Sequence, residues 1–234
     1  MQLNGYSQKG SGHPENQDAF CCIRGGSGQF ALAVSDGLGS KKQSALGSAA
    51  FCRSVAQLFR ARSGLSAGEF PAALYRLWRE ELGSARPAEC SATGLFAIWQ
   101  SDVFTLGALG DGIAAAQLPD GQSLVLLDTK DEHFFNETDC LASELRTEQW
   151  RIRQVKQRPE AVLLCTDGIE ISPGTEETVT RFLREMAQGY AGMDASAVQA
   201  DIQSWVSDWP GTDDKTIAYY LDTTVVQTVG EQSR

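Results

Sequence analysis

Apolar residues along this chain change period several times, and the changes divide it into elements. Two short continuous apolar runs stand out, Phe30 to Val34 and Ala161 to Cys165. Runs of that length without alternation read as strands buried on both faces. Strands are also predicted at 2–8, 17–24 and 29–34, around the polar loop KGSGHPEN. A helix is predicted over 44–61, where Ala45, Ala49, Cys52, Ala56 and Phe59 share one face. A second covers 69–82, burying Phe70, Leu74, Leu77 and Trp78, with Ser66 and Glu69 as a capping box and Gly83 as its stop. Strands then follow at 93–99, 103–109, 113–118 and 123–127, joined by hairpin-length turns.

Residues 128–160 are polar; a loop is expected there, with a short helix near 140–144 and a strand near 151–155. After the strand at 161–166 come two amphipathic helices, 176–188 with Val179, Phe182, Leu183 and Met186 on its apolar face and 196–209 with Val198, Ile202, Trp205, Val206 and Trp209 on its own, and a last strand at 216–222. The tail 228–234 is expected to fray. Strands do not alternate one-for-one with helices, so a doubly wound parallel sheet is excluded. The pattern fits an α+β fold, a four-layer α-β-β-α sandwich of two mostly antiparallel sheets flanked by helix pairs. At 234 residues the whole chain, 1–234, is read as one domain.

Thirty acidic against 20 basic residues give a net charge of −10, which disfavours a nucleic-acid or anionic-membrane binder. The six cysteines, at 21, 22, 52, 90, 140 and 165, form no C-x-x-C pair and no Cys/His metal spacing, and read as reduced structural thiols. No apolar run approaches membrane-spanning length. A soluble, cytoplasmic monomer is expected.

Both buried runs end in Asp-Gly: Asp36-Gly37 in VSDGLGS and Asp167-Gly168 in LCTDGIE. One Asp-Gly is an ordinary turn; two, each closing a buried strand, aim carboxylates from rigid elements at the rim of the core. Gly is expected to let the backbone turn so that its carbonyl also faces a ligand. Carboxylate and carbonyl oxygens suit a hard divalent cation. Asp18, Asp111 and Asp213 (with Asp214) also stand at strand ends or Gly turns. Gathered together, such acids repel one another unless cations neutralise them. Four or more suit a two-metal site with ions about 3.5–4 Å apart, which activates water against a phosphoryl group. An aspartic protease is rejected because Gly follows Asp directly in both copies. The D-x-D pair of haloacid-dehalogenase-type phosphatases and EF-hand spacing are both missing.

The ordered set ENQDA, VSDGLGS, SATG, GALGDG, LLCTDG and DDKTIAYY, running from about Gly10 to Asp222, resembles the metal-dependent serine/threonine protein phosphatases of type 2C, the PPM family, in a bacterial-type single-domain form. The resemblance implies two antiparallel sheets flanked by helices, and hydrolysis of phosphoserine or phosphothreonine in a phosphorylated protein. It implies two Mn2+ or Mg2+ ions, with a third possible: Asp36 bridging both, the Gly37 carbonyl on one, Asp167 and Asp213 on the other. Asp18 would orient water from behind the ligands, and Asp111 would help to hold a looser third ion. Ser91-Ala92-Thr93 would be structural. Two positions depart from the family. His13 stands where an Arg usually grips the substrate phosphate, and could act as general acid or, protonated, bind phosphate; Lys9, Lys41 or Lys42 could also supply charge. Gln17 stands where many members have Glu. The alternative reading is a catalytically weak or inactive phosphatase-like module that binds a phosphoprotein or other partner.

Overall fold

The computed structural model describes residues 1–62, 64–128 and 138–222. The tail 228–234 lies outside them. Ten strands form two five-stranded antiparallel sheets. One has β1 (Gln2–Gln8), β10 (Lys215–Leu221), β9 (Ala161–Cys165), β6 (Ile113–Gln117) and β7 (Ser123–Leu126) in that spatial order. The other runs β2 (Ala19–Arg24), β3 (Phe30–Ser35), β4 (Gly94–Gln100), β5 (Val103–Leu109) and β8 (Arg151–Val155).

Period-two alternation explains the layers. Along β3, Phe30, Leu32 and Val34 face the other sheet, and Ala31 and Ala33 face α1 (Ser44–Ala61) and α2 (Phe70–Glu81). Along β9, Val162 and Leu164 face between the sheets. Leu163 and Cys165 face α3 (Glu176–Gly189) and α4 (Ala195–Asp208). Both strands are therefore apolar on both faces, over 30–34 and 161–165, and fully burying each such Leu or Phe contributes roughly 1.5–3 kcal/mol. Phe30 stacks on Tyr220 across the sheets, with ring centroids 4.1 Å apart. Adjacent Cys21 and Cys22 divide the same way, Cys21 toward the helices and Cys22 between the sheets.

The four-layer sandwich expected from the sequence is what the chain builds, and the helices at 44–61 and the strands at 2–8, 103–109 and 151–155 keep their expected bounds. Two local expectations are corrected. Residues 140–144 form no helix: Leu141 instead makes an isolated antiparallel bridge with Ala92, tying that segment to the start of β4. Ser66 and Glu69 do not cap α2 as a box. The Glu69 carboxylate takes the Ser66 N–H at 2.8 Å, but α2 begins one residue later with no side-chain cap. Pro71 explains the shift, since proline suits the first turn, where its missing N–H costs nothing. Among the described residues no helix is long and apolar enough to cross a membrane.

Candidate metal centre

The Asp36 peptide is fixed from both sides by one residue. Its N–H donates to Thr93 Oγ1 at 2.9 Å, and its carbonyl accepts from the Thr93 N–H at 2.8 Å. Ser35 Oγ in turn donates to the Thr93 carbonyl at 2.6 Å. The small-residue opening of β4 thus anchors the carboxylate-bearing end of β3. Gly37 follows with its N–H on the Gln17 carbonyl at 3.1 Å.

A turn does form at the second Asp-Gly, Asp167–Gly168, but neither Gly37 nor Gly168 takes a positive φ, so left-handed backbone is not what calls for glycine. Both are glycine for want of space. A Cβ on Gly37 would lie 2.6 Å from the Ser44 carbonyl, and one on Gly168 would lie 1.9 Å from the Asp214 carbonyl oxygen. Close backbone approach therefore packs Gly37 against the start of α1, and packs Gly168, inside a turn closed by the Ile169 N–H on the Thr166 carbonyl at 3.0 Å, against the Asp214 segment.

At the second Asp-Gly, Thr166 closes β9. Its hydroxyl donates to Asp18 Oδ2 at 2.9 Å and accepts the Thr216 N–H at 3.0 Å, joining β9, β10 and the entry to β2. Asp167 follows and is exposed.

Electrostatics report which acids have been gathered. The Asp36 carboxyl is pushed up to about 10, first by burial, then by the charges of Asp18 and Asp167, contact with Asp18, and the charge of Asp213. Asp18 is pushed up to about 7 by burial, against hydrogen bonds from Thr216 and Thr166 that favour its charged form. Burial and the neighbouring charges together favour a protonated carboxyl within the Asp18–Asp36 pair. Asp18, Asp36, Asp167 and Asp213 therefore meet at one rim of the sandwich, and this all-oxygen donor set fits hard divalent ions. Asp111 stands to one side. It takes a hydrogen bond from Thr138 at 2.9 Å and, with Asp128, Asp167 and Glu170, lines an adjoining cavity of about 350 Å3.

Asp214, left undivided from Asp213 by the sequence, has a different position. Its carboxylate is buried and accepts the N–H groups of Gly10 at 2.7 Å and Gln17 at 2.8 Å, pinning both ends of the 10–17 loop. His13 Nδ1 completes that set, 3.1 Å from Asp214 Oδ2 and 3.5 Å from Asp213 Oδ1. One ligand atom from each of the three residues lies within 4.8 Å of the others, but the backbone donors already occupy Asp214. The hydrogen bond to Asp214 raises the His13 pKa above 6.5, against a lowering by burial, and the charges of Asp214, Asp213 and Asp18 add to the rise. Burial and backbone bonding separate Asp214 from Asp213, and two adjacent Asp letters carry no such signal.

Gln17 Oε1 is buried without a partner among the described residues, and both it and His13 Nε2 lie 3.6 Å from where a Gly39 Cβ would stand. Of the lysines, Lys9 is committed to the carbonyls of Gly10 at 3.0 Å and His13 at 2.8 Å. Lys42 is exposed. Lys41 lines a groove of about 680 Å3 that begins at Leu38 and Gly39 and continues past Cys140 to Arg146.

The sequence model of the family described as "Protein phosphatase 2C" matches residues 4–207. Among solved structures, the serine/threonine phosphatase Stp1 from Staphylococcus aureus superposes with a TM-score of 0.64 at 14% identity, covering 94% of each chain. The catalytic domain of the serine threonine protein phosphatase PstP, in complex with two manganese ions, gives 0.61 at 19%, covering 93% of this chain and 96% of that one. RsbX in complex with magnesium gives 0.62 at 16%, covering 93% and 97%. At these identities the superpositions speak for the fold. None of the curated proteins matches the chain.

Proposed function

We propose, for a chain that belongs to the protein phosphatase 2C family, that it hydrolyses phosphoserine and phosphothreonine in a protein substrate with the help of two divalent cations, Mn2+ or Mg2+. The observation that carries this reading is the half-buried Asp36 carboxyl at the end of β3, on which the charges of Asp18, Asp167 and Asp213 act and which is pushed up to about 10. A fold that gathers acids at such a cost has a use for the cation that relieves it.

Asp36 would serve both ions, with the Gly37 carbonyl on one and Asp167 and Asp213 on the other; Asp111 would add to a third, looser site beside Asp167. Bound ions would supply the positive charge that acidifies a water and offsets the charge of the transferring phosphoryl group. Asp18, set by the Thr166 hydroxyl, would orient that water by accepting its hydrogen bond. The hydrogen bond to Asp214 favours the charged form of His13, which gives the loop the cation that an Arg usually provides for the substrate phosphate. His13→Arg is expected to keep or raise phosphate affinity, measured as the inhibition constant of inorganic phosphate. Residues 1–234 would act as one domain and as a monomer in the cytoplasm, on a phosphorylated protein.

The test is phosphate release from phosphoserine and phosphothreonine peptides with and without Mn2+. Turnover that needs the metal and disappears in Asp36→Asn supports the enzyme. Metal binding with no release from any of several peptides would instead favour the alternative, a phosphatase-like module that binds a phosphoprotein.

A further inference from the structure

The outer face of the α3–α4 pair carries an aromatic groove that the proposed metal centre does not use. Its volume is about 540 Å3. Phe182, Trp205 and Trp209 form its floor in tilted and edge-on contact, with centroids 5.5 to 6.3 Å apart. Met186 and Met193 complete it, and Met193, 39% exposed, is one of only two large hydrophobic residues exposed among those described. Aromatic rings and flexible thioethers at a surface suit binding of another chain.

Charge says which kind of chain. Among the described residues, the charged ones lining the groove are Glu185 and Asp201. Asp201 is held in place by the Tyr190 hydroxyl at 2.7 Å, which also accepts the Trp205 indole N–H at 3.0 Å. Glu185 makes no ion pair among the described residues. Over 176–208 the acids are Glu176, Glu177, Glu185, Asp194, Asp201 and Asp208, against Arg181 and Arg184 alone. Arg184 lines a different groove, beside Glu160 and Asp222. Indole faces next to unpaired carboxylates attract a cation by its charge and by the ring quadrupole together.

We propose that this groove docks a basic segment of a partner protein, in which a Lys or Arg lies over the Trp205 and Trp209 rings toward Asp201 and Glu185 while flanking aliphatic side chains cover Phe182 and Met193. Trp209 precedes Asp213 by four residues, so a docked partner sits no more than about 14 Å of extended chain from the acid cluster.

The probe is a synthetic amphipathic leucine–lysine peptide, with its leucine–glutamate counterpart as control, titrated by calorimetry into the full chain with Mn2+ saturating. Saturable binding of the lysine peptide alone is expected. The Glu185→Gln/Asp201→Asn double variant should weaken it about tenfold, and Met193→Lys, which removes apolar cover and repels the peptide, should weaken it while leaving hydrolysis of p-nitrophenyl phosphate unchanged. Trp205→Ala should abolish binding, and the surface double variant decides the matter if that protein fails to fold. The proposal is overturned if neither peptide binds, if the glutamate peptide binds equally, or if the double variant binds the lysine peptide as tightly as wild type. It is also overturned if sedimentation shows a dimer that Met193→Lys dissociates, because a second copy would then be the occupant.

Discussion

The two Asp-Gly strand ends begin as near copies in sequence and finish in different surroundings. Asp36 is partly buried, its peptide locked to Thr93 on both sides, with its carboxyl pushed up to about 10. Asp167 is exposed and follows a Thr166 whose hydroxyl is spent on Asp18. The first is a central acid that neighbours surround. The second closes the cluster from the solvent side. The same dipeptide therefore supplies the middle of the site from one sheet and its edge from the other.

That contrast predicts unequal consequences. Asp36→Asn should lower metal-stimulated turnover by more than about 100-fold, beyond the range of groups that only orient ligands, and excess Mn2+ should not restore it. Asp167→Asn should chiefly raise the Mn2+ concentration needed, with partial recovery at high metal. Equal recovery of both variants in a Mn2+ titration of activity would break the contrast. Both proteins should keep wild-type circular dichroism.

A smaller effect separates the glycines. Overpacking costs about 1–3 kcal/mol, and Gly168→Ala, meeting backbone oxygen at 1.9 Å, should lie at or above the top of that range. Gly37→Ala, at 2.6 Å, should cost less. Urea midpoints would order them, and the reverse order would mean that the Asp214 segment yields more easily than α1.

A last contrast concerns pH. A carboxyl raised from 3.8 to about 10 on folding stabilises the fold fully below the lower value, and that contribution is lost as pH rises toward the upper one. In chelator, wild type should therefore lose melting temperature relative to Asp36→Asn as pH rises from 5 to 9, and Mn2+ should close the gap. A gap that stays constant with pH would show that Asp36 keeps an ordinary pKa.

Much of this was legible in the sequence. Continuous apolar runs ending in Asp located β3 and β9, and the ordered acids named four residues that meet at one rim. Residues 138–146 were harder, because a polar stretch tied to the sheet by an isolated bridge at Leu141 has no periodicity to read. Division of labour between Asp213 and Asp214 was also hidden, since it depends on the N–H groups of Gly10 and Gln17, about two hundred residues away in the chain. The turn at Gly168 was legible, but the close packing at Gly37 and Gly168 was not, because a steric demand from Ser44 or Asp214 leaves no mark beside the glycine itself. The α3–α4 aromatic groove was half visible, in that Phe182, Trp205 and Trp209 read as helix faces turned to the core, whereas part of that face opens to solvent.

Calorimetric titration of the metal-free chain with Mn2+ tests the central claim most directly. The account predicts two ions bound per chain, protons released as they bind because Asp36 must give one up, and loss of both events in Asp36→Asn. Failure to bind Mn2+, or binding without proton release that Asp36→Asn leaves unchanged, would contradict it.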